Sequence, residues 1–448
     1  ECLSFDSYLY TSEGLISYQE LRSLFQNISK ANVGLDNRFV IDAVQEKQKT
    51  LLSIKNRDGF VQKVSPDHTC VILREGDIIE CKAEDIKLGD YMIIRRGINC
   101  FGKYECTKEI ARIVGHLMAD GNCSTSNFSC CDSIDSDYQK DLYNTLAALG
   151  CTTIKHSDDW KRVRLNTCYS DRHTKDPNAV NILNALKNFG LEGKTAWTKE
   201  VPLQIRRAPK EIQAEFLKCY IGRDGGIVKK SDKLFEIELT TVSEKLSEQI
   251  QLMLLNFGIL ASRIRAKEGG YNPEEYCWEL HIHGAENMKL YRENIGFISK
   301  WQQDRLNDAA SRNIFSSKAC IPGLKDRWKS MLKTLPRQEK ANLPKITIAK
   351  EISLQTIKKH WLPKLDKVKS ISKEIAELLK YTIDNNLYFS PVTNITKIDG
   401  LHDVFDFFLD KDHRFVAQGC ITHNCTDALL RDIAFSNKST FTQIKYDD

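Results

Sequence analysis

The sequence predicts a multidomain protein in which an all-β domain, built from both ends of the chain, is interrupted by an α+β domain. Short alternating apolar segments separated by turn signals occupy both ends, and this pattern is typical of strands. A helical run that ends in Asp-Gly occurs twice in the middle, at residues 113–121 and 217–225. Such a repeat indicates an internally duplicated domain with pseudo-twofold symmetry. The length of 448 residues leaves room for two or three domains.

The composition predicts a soluble, cytoplasmic protein. Hydrophobic residues make up 41% and charged residues 28% of the sequence, as in globular domains. Because the sequence shows neither an apolar run of membrane-spanning length nor a secretory signal, we expect no membrane partner. The net charge of +5 permits a nucleic-acid partner without requiring one. The 15 cysteines are odd in number and unevenly spaced, without any Cys-x-x-Cys, which favours reduced thiols over disulfides or structural zinc.

The amino-terminal block, residues 2–97, begins with a cysteine and continues as short predicted strands. Turn signals at Asp58-Gly59 and Glu75-Gly76 separate apolar segments, which indicates β-hairpins. The block also contains Ser65-Pro66-Asp67-His68, in which a hydroxyl residue stands three positions before a histidine. Taken alone, the Asp-His pair is typical of a polar turn.

The middle block, residues 98–310, contains both copies of the repeat. Each helical run ends in an acidic residue, Asp120 or Asp224, followed by a glycine that suits the C′ position of a helix. One such Asp-Gly is typical of an ordinary helix end, whereas two in matched contexts favour a shared function. Alternating arginines follow each copy on predicted strands, where residues two apart share one face; they are Arg162, Arg164, Arg263 and Arg265.

Residues 311–390 form a predicted helical connector. Apolar residues at helical spacing occur from Leu324 to Leu335 and from Ile371 to Tyr381. Residues 346–362 between them resemble a helix-turn-helix whose second helix carries lysines that would touch phosphate. A two-helix spacer explains the same pattern.

The carboxyl-terminal block, residues 391–424, predicts a strand over residues 392–398 that ends at Asp399-Gly400. It then predicts a hairpin between residues 404–409 and 413–417. The block ends at His423-Asn424, followed by Cys425. Asparagine can attack its own carbonyl carbon through its side-chain nitrogen, which forms a succinimide and cuts the backbone. A neighbouring histidine can supply protons, and the freed thiol is a good nucleophile.

This bracket of Cys2 at one end and His423, Asn424 and Cys425 at the other resembles an intein, a segment that excises itself and ligates its flanks. The resemblance implies a Hint horseshoe formed by residues 2–97 and 391–424, with Glu1 and residues 425–448 as remnants of the flanking exteins. The Ser65–His68 stretch matches the second intein block with serine in place of threonine. The implied catalytic residues are Cys2, His68, Asp406, His413, His423, Asn424 and Cys425.

The roles that the resemblance implies need no cofactor. His68 promotes thioester formation at the first scissile bond, and Asp406 tunes the Cys2 thiol. His413 assists cyclisation of Asn424 after Cys425 has accepted the acyl group.

The repeats resemble those of the LAGLIDADG homing endonucleases, in which two helices pack through small residues and each contributes one acidic residue. Gly115, Ala119 and Cys219 suit this packing, whereas Arg223 stands where a small residue is expected. The resemblance implies that Asp120 and Asp224 hold Mg²⁺ and cleave double-stranded DNA in an uninterrupted host gene.

Within the same resemblance, Lys199 and Lys300 match the lysines that polarise the scissile phosphate or the attacking water. The strands with alternating arginines would form saddles over DNA, and we expect the chain to act as a monomer.

Four other interpretations are open. The first is a splicing-competent intein whose nuclease is degenerate and no longer cuts. If Arg223 merely weakens cutting, DNA binding persists and Arg223→Gly raises the rate. The second is a free-standing LAGLIDADG endonuclease, which would not require Cys2, Asn424 and Cys425. The third is a hedgehog-like autoprocessing domain, which would lack the terminal His-Asn-Cys. The fourth is a binding module in which splicing is lost, and the intact junction residues disfavour it.

Overall fold

The fold is given by a computed structural model of the chain. The residues described are 2–25, 33–35, 38–124, 126–131, 136–171, 173–231, 234–267, 276–312, 319–340, 352–365, 373–409 and 413–424. Glu1, Ile371, Cys425 and residues 346–351 of the predicted helix-turn-helix lie outside them. In this part of the chain, no helix has both the length and the apolar character needed to cross a membrane.

The chain divides into two compact units. The first comprises residues 1–11, 17–98 and 316–448, and the second comprises residues 12–16 and 99–315. The described parts of the predicted connector from residue 319 onward, which are residues 319–340, 352–365 and 373–390, thus belong to the first unit.

The strands within the described residues follow in chain order. They are β1 (Leu3–Ser4), β2 (Tyr8–Thr11), β3 (Gly14–Ser17), β4 (Gly34–Leu35), β5 (Arg38–Asn56), β6 (Val61–Val64), β7 (Thr69–Arg74), β8 (Asp77–Lys82), β9 (Tyr91–Arg95), β10 (Gly121–Cys123), β11 (Asn127–Cys131), β12 (Ile154–His156), β13 (Arg162–Asn166), β14 (Gly225–Ser231), β15 (Leu234–Thr241), β16 (Ala261–Lys267), β17 (Tyr276–His283), β18 (Leu387–Leu409), β19 (Arg414–Ala417) and β20 (Cys420–His423).

The helices are described in the same way. They are α1 (Tyr18–Leu24), α2 (Lys108–Asp120), α3 (Ser136–Ala148), α4 (Pro177–Asn188), α5 (Leu203–Arg206), α6 (Lys210–Asp224), α7 (Glu244–Asn256), α8 (Ala285–Asn294), α9 (Lys300–Ser311), α10 (Leu324–Thr334), α11 (Arg337–Lys340), α12 (Leu354–Thr356), α13 (Leu362–Leu365) and α14 (Lys373–Asp384). A 3₁₀ turn (Ala83–Asp85) and a π-helical turn (Ile357–Trp361) complete them.

The first unit is built on one sheet in which strands from both ends of the sequence alternate. The order is β18-β1-β6-β5-β4-β2-β19-β20-β9-β7-β8, and β18 also pairs with β5 and β9. The pairing of β18 with β5 is antiparallel and runs from Val392 opposite Asn56 to Leu409 opposite Val40. The amino- and carboxyl-terminal blocks therefore share one set of backbone hydrogen bonds.

The predicted carboxyl-terminal hairpin is wrong in its pairing. Residues 392–398 and 404–409 belong to the single strand β18, and Asp399-Gly400 is absorbed as an irregularity in its register with β5. Gly400 has a φ of +128°, which glycine tolerates and which lets the strand continue past the Asp-Gly. The hairpin is instead formed by β19 and β20, with Arg414 opposite His423.

An aromatic cluster fixes one face of the sheet near β1. The ring of Tyr18 stacks on Phe405 at 3.9 Å between centroids, and Phe407 packs edge-on against both. Tyr18 opens α1, which is held by a capping box between Ser17 and Glu20. Because side chains alternate along a strand, this cluster leaves the neighbours of Phe405 on the opposite face.

Both apolar stripes predicted in the connector form helices. Leu324, Trp328 and Met331 are buried along α10, and Ile375, Leu378 and Leu379 along α14. The Trp328 ring packs on Trp361 at 4.1 Å between centroids. Lys358 and Lys359 are exposed on the π-helical turn, and a phosphate-binding role for them stays a prediction.

The second unit contains the duplication that the repeats predict. One copy runs α2-β10-β11-α3-β12-β13-α4, and the other runs α6-β14-β15-α7-β16-β17-α8. Each copy forms a four-stranded antiparallel sheet, in the orders β10-β11-β13-β12 and β14-β15-β17-β16.

The helices α2 and α6 pack closely at the centre of this unit. A Cβ at Gly115 would lie 2.6 Å from the Phe216 carbonyl oxygen and 2.8 Å from the Cys219 Cβ, so only glycine allows this approach. Gly121 and Gly225, expected to end the helices as C′ turns, have φ of −116° and −136° and begin strands directly. Their lack of a side chain relieves crowding instead, since a Cβ at Gly121 would lie 2.5 Å from the Leu117 Cα.

Candidate functional sites

Cys2 is placed by its strand neighbours in the first unit. Leu3 pairs with Phe405 and Ser4 with Val404, so continuing this antiparallel register puts Cys2 level with Asp406. The Cys2 amide donates to Ser65 Oγ at 2.8 Å, and the Ser65 amide donates to the Cys2 carbonyl at 2.9 Å. Cys2 is only 4% exposed, so both its backbone and its side chain are held.

The Cys2 thiol lies among acidic groups. Its Sγ donates to Glu46 Oε1 at 3.1 Å. Burial, followed by the charges of Glu46 and Asp406, raises the pKa of the Cys2 thiol far above its usual range. Sequence reasoning found Cys2 and Asp406 but missed Glu46, because no local motif marks a residue whose importance comes from strand pairing. A thiol in this setting needs a proton acceptor before it can attack a carbonyl.

His68 joins the amino-terminal block to the last strand. It is fully buried, and its Nε2 lies 2.7 Å from Thr422 Oγ1 on β20. The His68 amide donates to the Ser65 carbonyl, which closes the turn that also holds Cys2. Because Glu1 lies outside the described residues, the predicted contact between His68 and the first scissile bond stays a prediction.

Asn424 is buried and held at three atoms. Its amide donates to the His413 carbonyl at 2.7 Å, and its Nδ2 donates to the Phe407 carbonyl at 3.0 Å. The His413 Nδ1 lies 3.1 Å from Asn424 Oδ1. Since this amide oxygen can only accept, His413 Nδ1 must carry the proton in this contact.

His423 lies beside His413 at the same junction. Their rings stack at 5.4 Å between centroids, and His423 Nε2 lies 3.9 Å from Glu80 Oε2. Burial lowers the pKa of the His423 imidazole, and the nearby Glu80 charge opposes this effect. The neutral imidazole is therefore favoured at neutral pH, as a proton acceptor requires. Cys425 lies outside the described residues.

Asp120 and Asp224 occupy corresponding positions in the second unit, at the carboxyl ends of α2 and α6. Both residues are exposed to solvent. The Asp224 carboxyl is nevertheless surrounded by protein atoms, and the resulting desolvation raises its pKa to about 7, with a further contribution from the Asp120 charge. Lys199 and Tyr220 oppose it. The two carboxyl groups thus lie within reach of each other's charge.

The structure brings Lys199 to this end of the paired helices. Its Nζ donates to the carbonyls of Leu117, Met118 and Ala119 at 2.8–3.3 Å. Burial lowers the pKa of the Lys199 amine, while Asp224 and Asp120 raise it. Lys300 instead has an exposed side chain at the start of α9. Catalytic roles for both lysines stay predictions.

Arg223 is part of a chain of polar contacts that runs from α6 across α2 to α3. Its Nη1 lies 3.0 Å from His116 Nδ1, and His116 Nε2 lies 2.9 Å from Asp141 Oδ2. Burial lowers the pKa of His116 to about 4, so the ring is neutral at pH 7. Because guanidinium can only donate, His116 accepts at Nδ1 and donates from Nε2 to Asp141. Arg112 completes the chain through an ion pair with Asp141.

The two sheets present different solvent faces. On the first, Arg162 and Arg164 are both exposed, and Lys155 lies directly opposite Arg164. On the second, the expected arginine face is wrong. Arg263 is 3% exposed and its Nη1 donates to Ser247 Oγ on α7, so its side of β16 faces the helix. Arg265 lies on the same side by alternation but is exposed at the end of the strand, where it packs over the Tyr276 ring, so the expectation fails for Arg263 alone.

Acidic and histidine side chains occupy the solvent face of the second sheet. His281 Nδ1 lies 3.0 Å from Glu236, and its Nε2 lies 3.1 Å from Glu279. Glu238 is opposite His281 and pairs with Lys230. This face is therefore largely anionic where the first is cationic.

Asp120 and Asp224 fit the divalent cation that was expected. Carboxylate oxygens are the ligands that Mg²⁺ prefers, and the Asp120 and Asp224 carboxyl groups lie within reach of each other's charge. Lys199 lies at the same end of the helices, where its charge acts on Asp224.

Cys2 and Asn424, one from each terminal block, are both buried and both hydrogen-bonded to residues of one β-sheet. The family model "Intein splicing domain" matches residues 14–424, and the chain belongs to the intein family.

Curated relatives match this chain over part of their own length. The chain is 23% identical to the ribonucleoside-diphosphate reductase NrdEB subunit alpha of Bacillus subtilis over 96% of this chain and 36% of that protein. It is 29% identical to the replication factor C small subunit of Methanocaldococcus jannaschii over 58% of this chain and 13% of that protein. The chain thus spans well under half the length of these relatives.

Solved structures resemble parts of the chain. The homing endonuclease I-DmoI, in a complex with DNA and Mn, is 13% identical, with 42% of this chain and 96% of that chain covered and a TM-score of 0.26. The TvoVMA intein is 20% identical, with 21% of this chain and 69% of that chain covered and a TM-score of 0.17.

Proposed function

We propose that the first unit catalyses protein splicing. The observation that carries this proposal is the burial of both junction residues in one sheet, with Cys2 level with Asp406 and Asn424 bonded to Phe407 on the same strand β18. Because both junction residues are held against β18, the transfers between the two junctions become unimolecular steps instead of bimolecular ones.

The proposed reaction has four steps. Cys2 Sγ attacks the Glu1 carbonyl carbon and displaces the Cys2 nitrogen, which leaves a thioester. Cys425 Sγ takes the acyl group from Cys2. Asn424 Nδ2 then attacks its own carbonyl carbon, aided by His413 and His423, and releases the intein. The remaining thioester rearranges to a Glu1–Cys425 peptide bond, and no cofactor is consumed.

The test is a precursor with longer flanks, followed by mass spectrometry under reducing conditions. Ligated flanks should appear without added factors. Asn424→Ala should block carboxyl-terminal cleavage but allow added thiol to release the amino-terminal flank, and Cys2→Ala should allow only cleavage after residue 424. Persistence of intact precursor would overturn the proposal, and ligated product from Asn424→Ala would exclude the succinimide step.

We further propose that the second unit is a LAGLIDADG homing endonuclease. Its support is the duplicated fold with Asp120 and Asp224 at the ends of two closely packed helices. A bound divalent cation would stabilise charge on the attacking and leaving oxygens of the phosphodiester. Asp120 and Asp224 would hold it, Lys199 would lie beside the scissile phosphate, and Arg162 and Arg164 would bind backbone phosphates.

Incubation of the purified protein with the uninterrupted host-gene sequence and Mg²⁺ tests this second proposal. Double-strand cleavage is expected. A second candidate is a DNA-binding unit that no longer cuts. Its support is Arg223, whose positive charge acts on the Asp224 carboxyl and would compete there with a divalent cation. Binding without cleavage would support that candidate.

A further inference from the structure

We propose that Glu46 is a catalytic residue of splicing, the acceptor of the Cys2 thiol proton in the first step. This proposal rests on the splicing function proposed above. Its basis is direct contact, since Cys2 Sγ donates to Glu46 Oε1 at 3.1 Å inside a nearly closed site.

The fold explains how a residue 44 positions away in sequence reaches this thiol. Glu46 on β5 lies opposite Val404 on β18, and Ser4 lies opposite Val404 on the other side. By alternation, Cys2, Asp406 and Glu46 share one face of the sheet, while Phe405 and the aromatic cluster occupy the other. Gln48, two residues on along β5, donates to Glu46 Oε1 at 2.6 Å and fixes the carboxylate.

Glu46 is better placed than Asp406 to take the proton. Asp406 Oδ1 accepts from the Phe407 amide at 2.8 Å, which holds that carboxylate against its own backbone. The charged or titratable groups that face the thiol from β5 and β18 are Glu46 and Asp406. Asp406 then acts on the sulfur through its negative charge, whereas Glu46 acts through a direct hydrogen bond from the thiol.

The step balances in protons and bonds. The Sγ–H proton moves to Glu46 Oε1 as the sulfur forms its bond to the Glu1 carbonyl carbon. The bond from that carbon to the Cys2 nitrogen then breaks. Glu46 gives up the proton it took as the leaving nitrogen gains one, so that this nitrogen becomes the free amine of Cys2. Glu46 ends the step as a carboxylate, so the cycle consumes neither acid nor base.

The test separates proton transfer from hydrogen bonding. Glutamine at position 46 keeps a carbonyl oxygen that accepts from the thiol but cannot take its proton. In a precursor that carries Asn424→Ala, which isolates the first step, Glu46→Gln should slow thiol-induced release of the amino-terminal flank by about 10²-fold at pH 7. The deficit should shrink as pH rises, because hydroxide then removes the thiol proton. Glu84→Gln, an exposed carboxylate change in the same unit, is the matched control.

Two further measurements address folding. With Asn424 intact, Glu46→Gln should still cleave after residue 424, which shows that the unit folds. Acetate should partly restore flank release to Glu46→Ala, because it supplies a proton acceptor in the space left by the side chain.

Flank release by Glu46→Gln at the rate of the Glu84→Gln control would overturn the proposal. It would also be overturned if Glu46→Gln and Glu46→Ala lost carboxyl-terminal cleavage and acetate restored nothing, since Glu46 would then be structural. Failure of the parent precursor to splice at all would instead overturn the proposed function.

Discussion

The two copies of the duplicated unit share one order of elements but differ in charge. In the first copy, helix α2 ends in Ala119-Asp120 and its sheet presents Arg162 and Arg164 to solvent. In the second, helix α6 ends in Arg223-Asp224, and the solvent face of its sheet carries glutamates and His281. The two copies therefore share the close packing of their helices and the acidic helix ends, but differ in the charge of their sheet faces. The predictions below test that division.

Loss of either acidic helix end has the largest expected effect. Asp120→Asn or Asp224→Asn should lower double-strand cleavage by about 10³-fold or more, because a ligand charge worth several kcal/mol of transition-state stabilisation is lost. Cleavage of a supercoiled target plasmid measures it, and any residual single-strand nicks show which strand each carboxylate serves. The exposed Asp304 on α9 offers a matched control, Asp304→Asn, which should cut normally. Unequal losses would mean that the two copies do not contribute equally.

The pH dependence of DNA cleavage should follow the titration of the Asp224 carboxyl. Since its carboxyl has a pKa of about 7, the proton competes with the metal below that value. Cleavage at limiting Mg²⁺ should fall about tenfold per pH unit below pH 7 and level off above it. Mn²⁺ binds such ligands more tightly than Mg²⁺ does, so it should move the midpoint of the cleavage profile to lower pH. A flat profile between pH 5 and 7 would contradict this prediction.

The same raised pKa has a consequence for stability. Because the folded pKa lies above the value of 3.8 for an unperturbed aspartate, the folded state holds a proton that the unfolded state has lost. This group therefore favours folding less as pH rises from about 4 to about 7. The gain in melting temperature from Asp224→Asn should be larger at pH 8 than at pH 5. An equal gain at both values would show that Asp224 titrates normally.

Arg223→Ala makes the second helix end resemble the first. The buried His116 Nδ1 then loses its donor, so the free energy of unfolding of this unit should fall by about 1–3 kcal/mol. Denaturant unfolding measures the change, and Lys218→Ala, which removes an ion pair on the side of the same helix, is the control. The tight approach at Gly115 argues that Arg223 does not hold the helices apart. An unchanged stability would mean that the bond to His116 contributes nothing.

Charge changes on the sheet faces have the smallest expected effect. Arg162→Gln should weaken DNA binding a few-fold and reduce the salt dependence by about one unit of slope, as expected for one phosphate contact. Glu236→Gln should strengthen binding slightly by removing repulsion. Fluorescence anisotropy at several salt concentrations measures both. A stronger effect at Glu236 than at Arg162 would mean that the second face lies closer to DNA.

Local motifs were enough to predict the parts of this molecule that a few consecutive residues define. The ends of α2 and α6 and the residues Cys2, His68 and Asn424 follow from short patterns whose chemistry is specific. The duplicated order of elements also follows, because each copy repeats its own signals. Catalytic roles for these residues rest on the experiments above.

Features that depend on pairing between distant segments were not predictable. Glu46 reaches Cys2 only because β5 pairs with β18, and nothing in the polar residues around Glu46 indicates that register. Arg263 alternates with Arg265 as expected, yet alternation alone does not say which face of β16 packs on α7. The predicted hairpin failed for the same reason, since residues 404–409 pair with β5 as part of a register that runs from residue 392 to residue 409.

The pairing of β1 with β18 bears on the order of events during synthesis. Leu3 emerges from the ribosome about 400 residues before its partner Phe405, so the pocket around Cys2 cannot close while the chain is still growing. His68 likewise waits for Thr422. Under the splicing function proposed above, the upstream flank would keep its ordinary peptide bond until the carboxyl-terminal block has been made, and a truncated product would carry no activated ester. Pairing the two ends of the sequence in one sheet would thus link bond breaking to synthesis of that block.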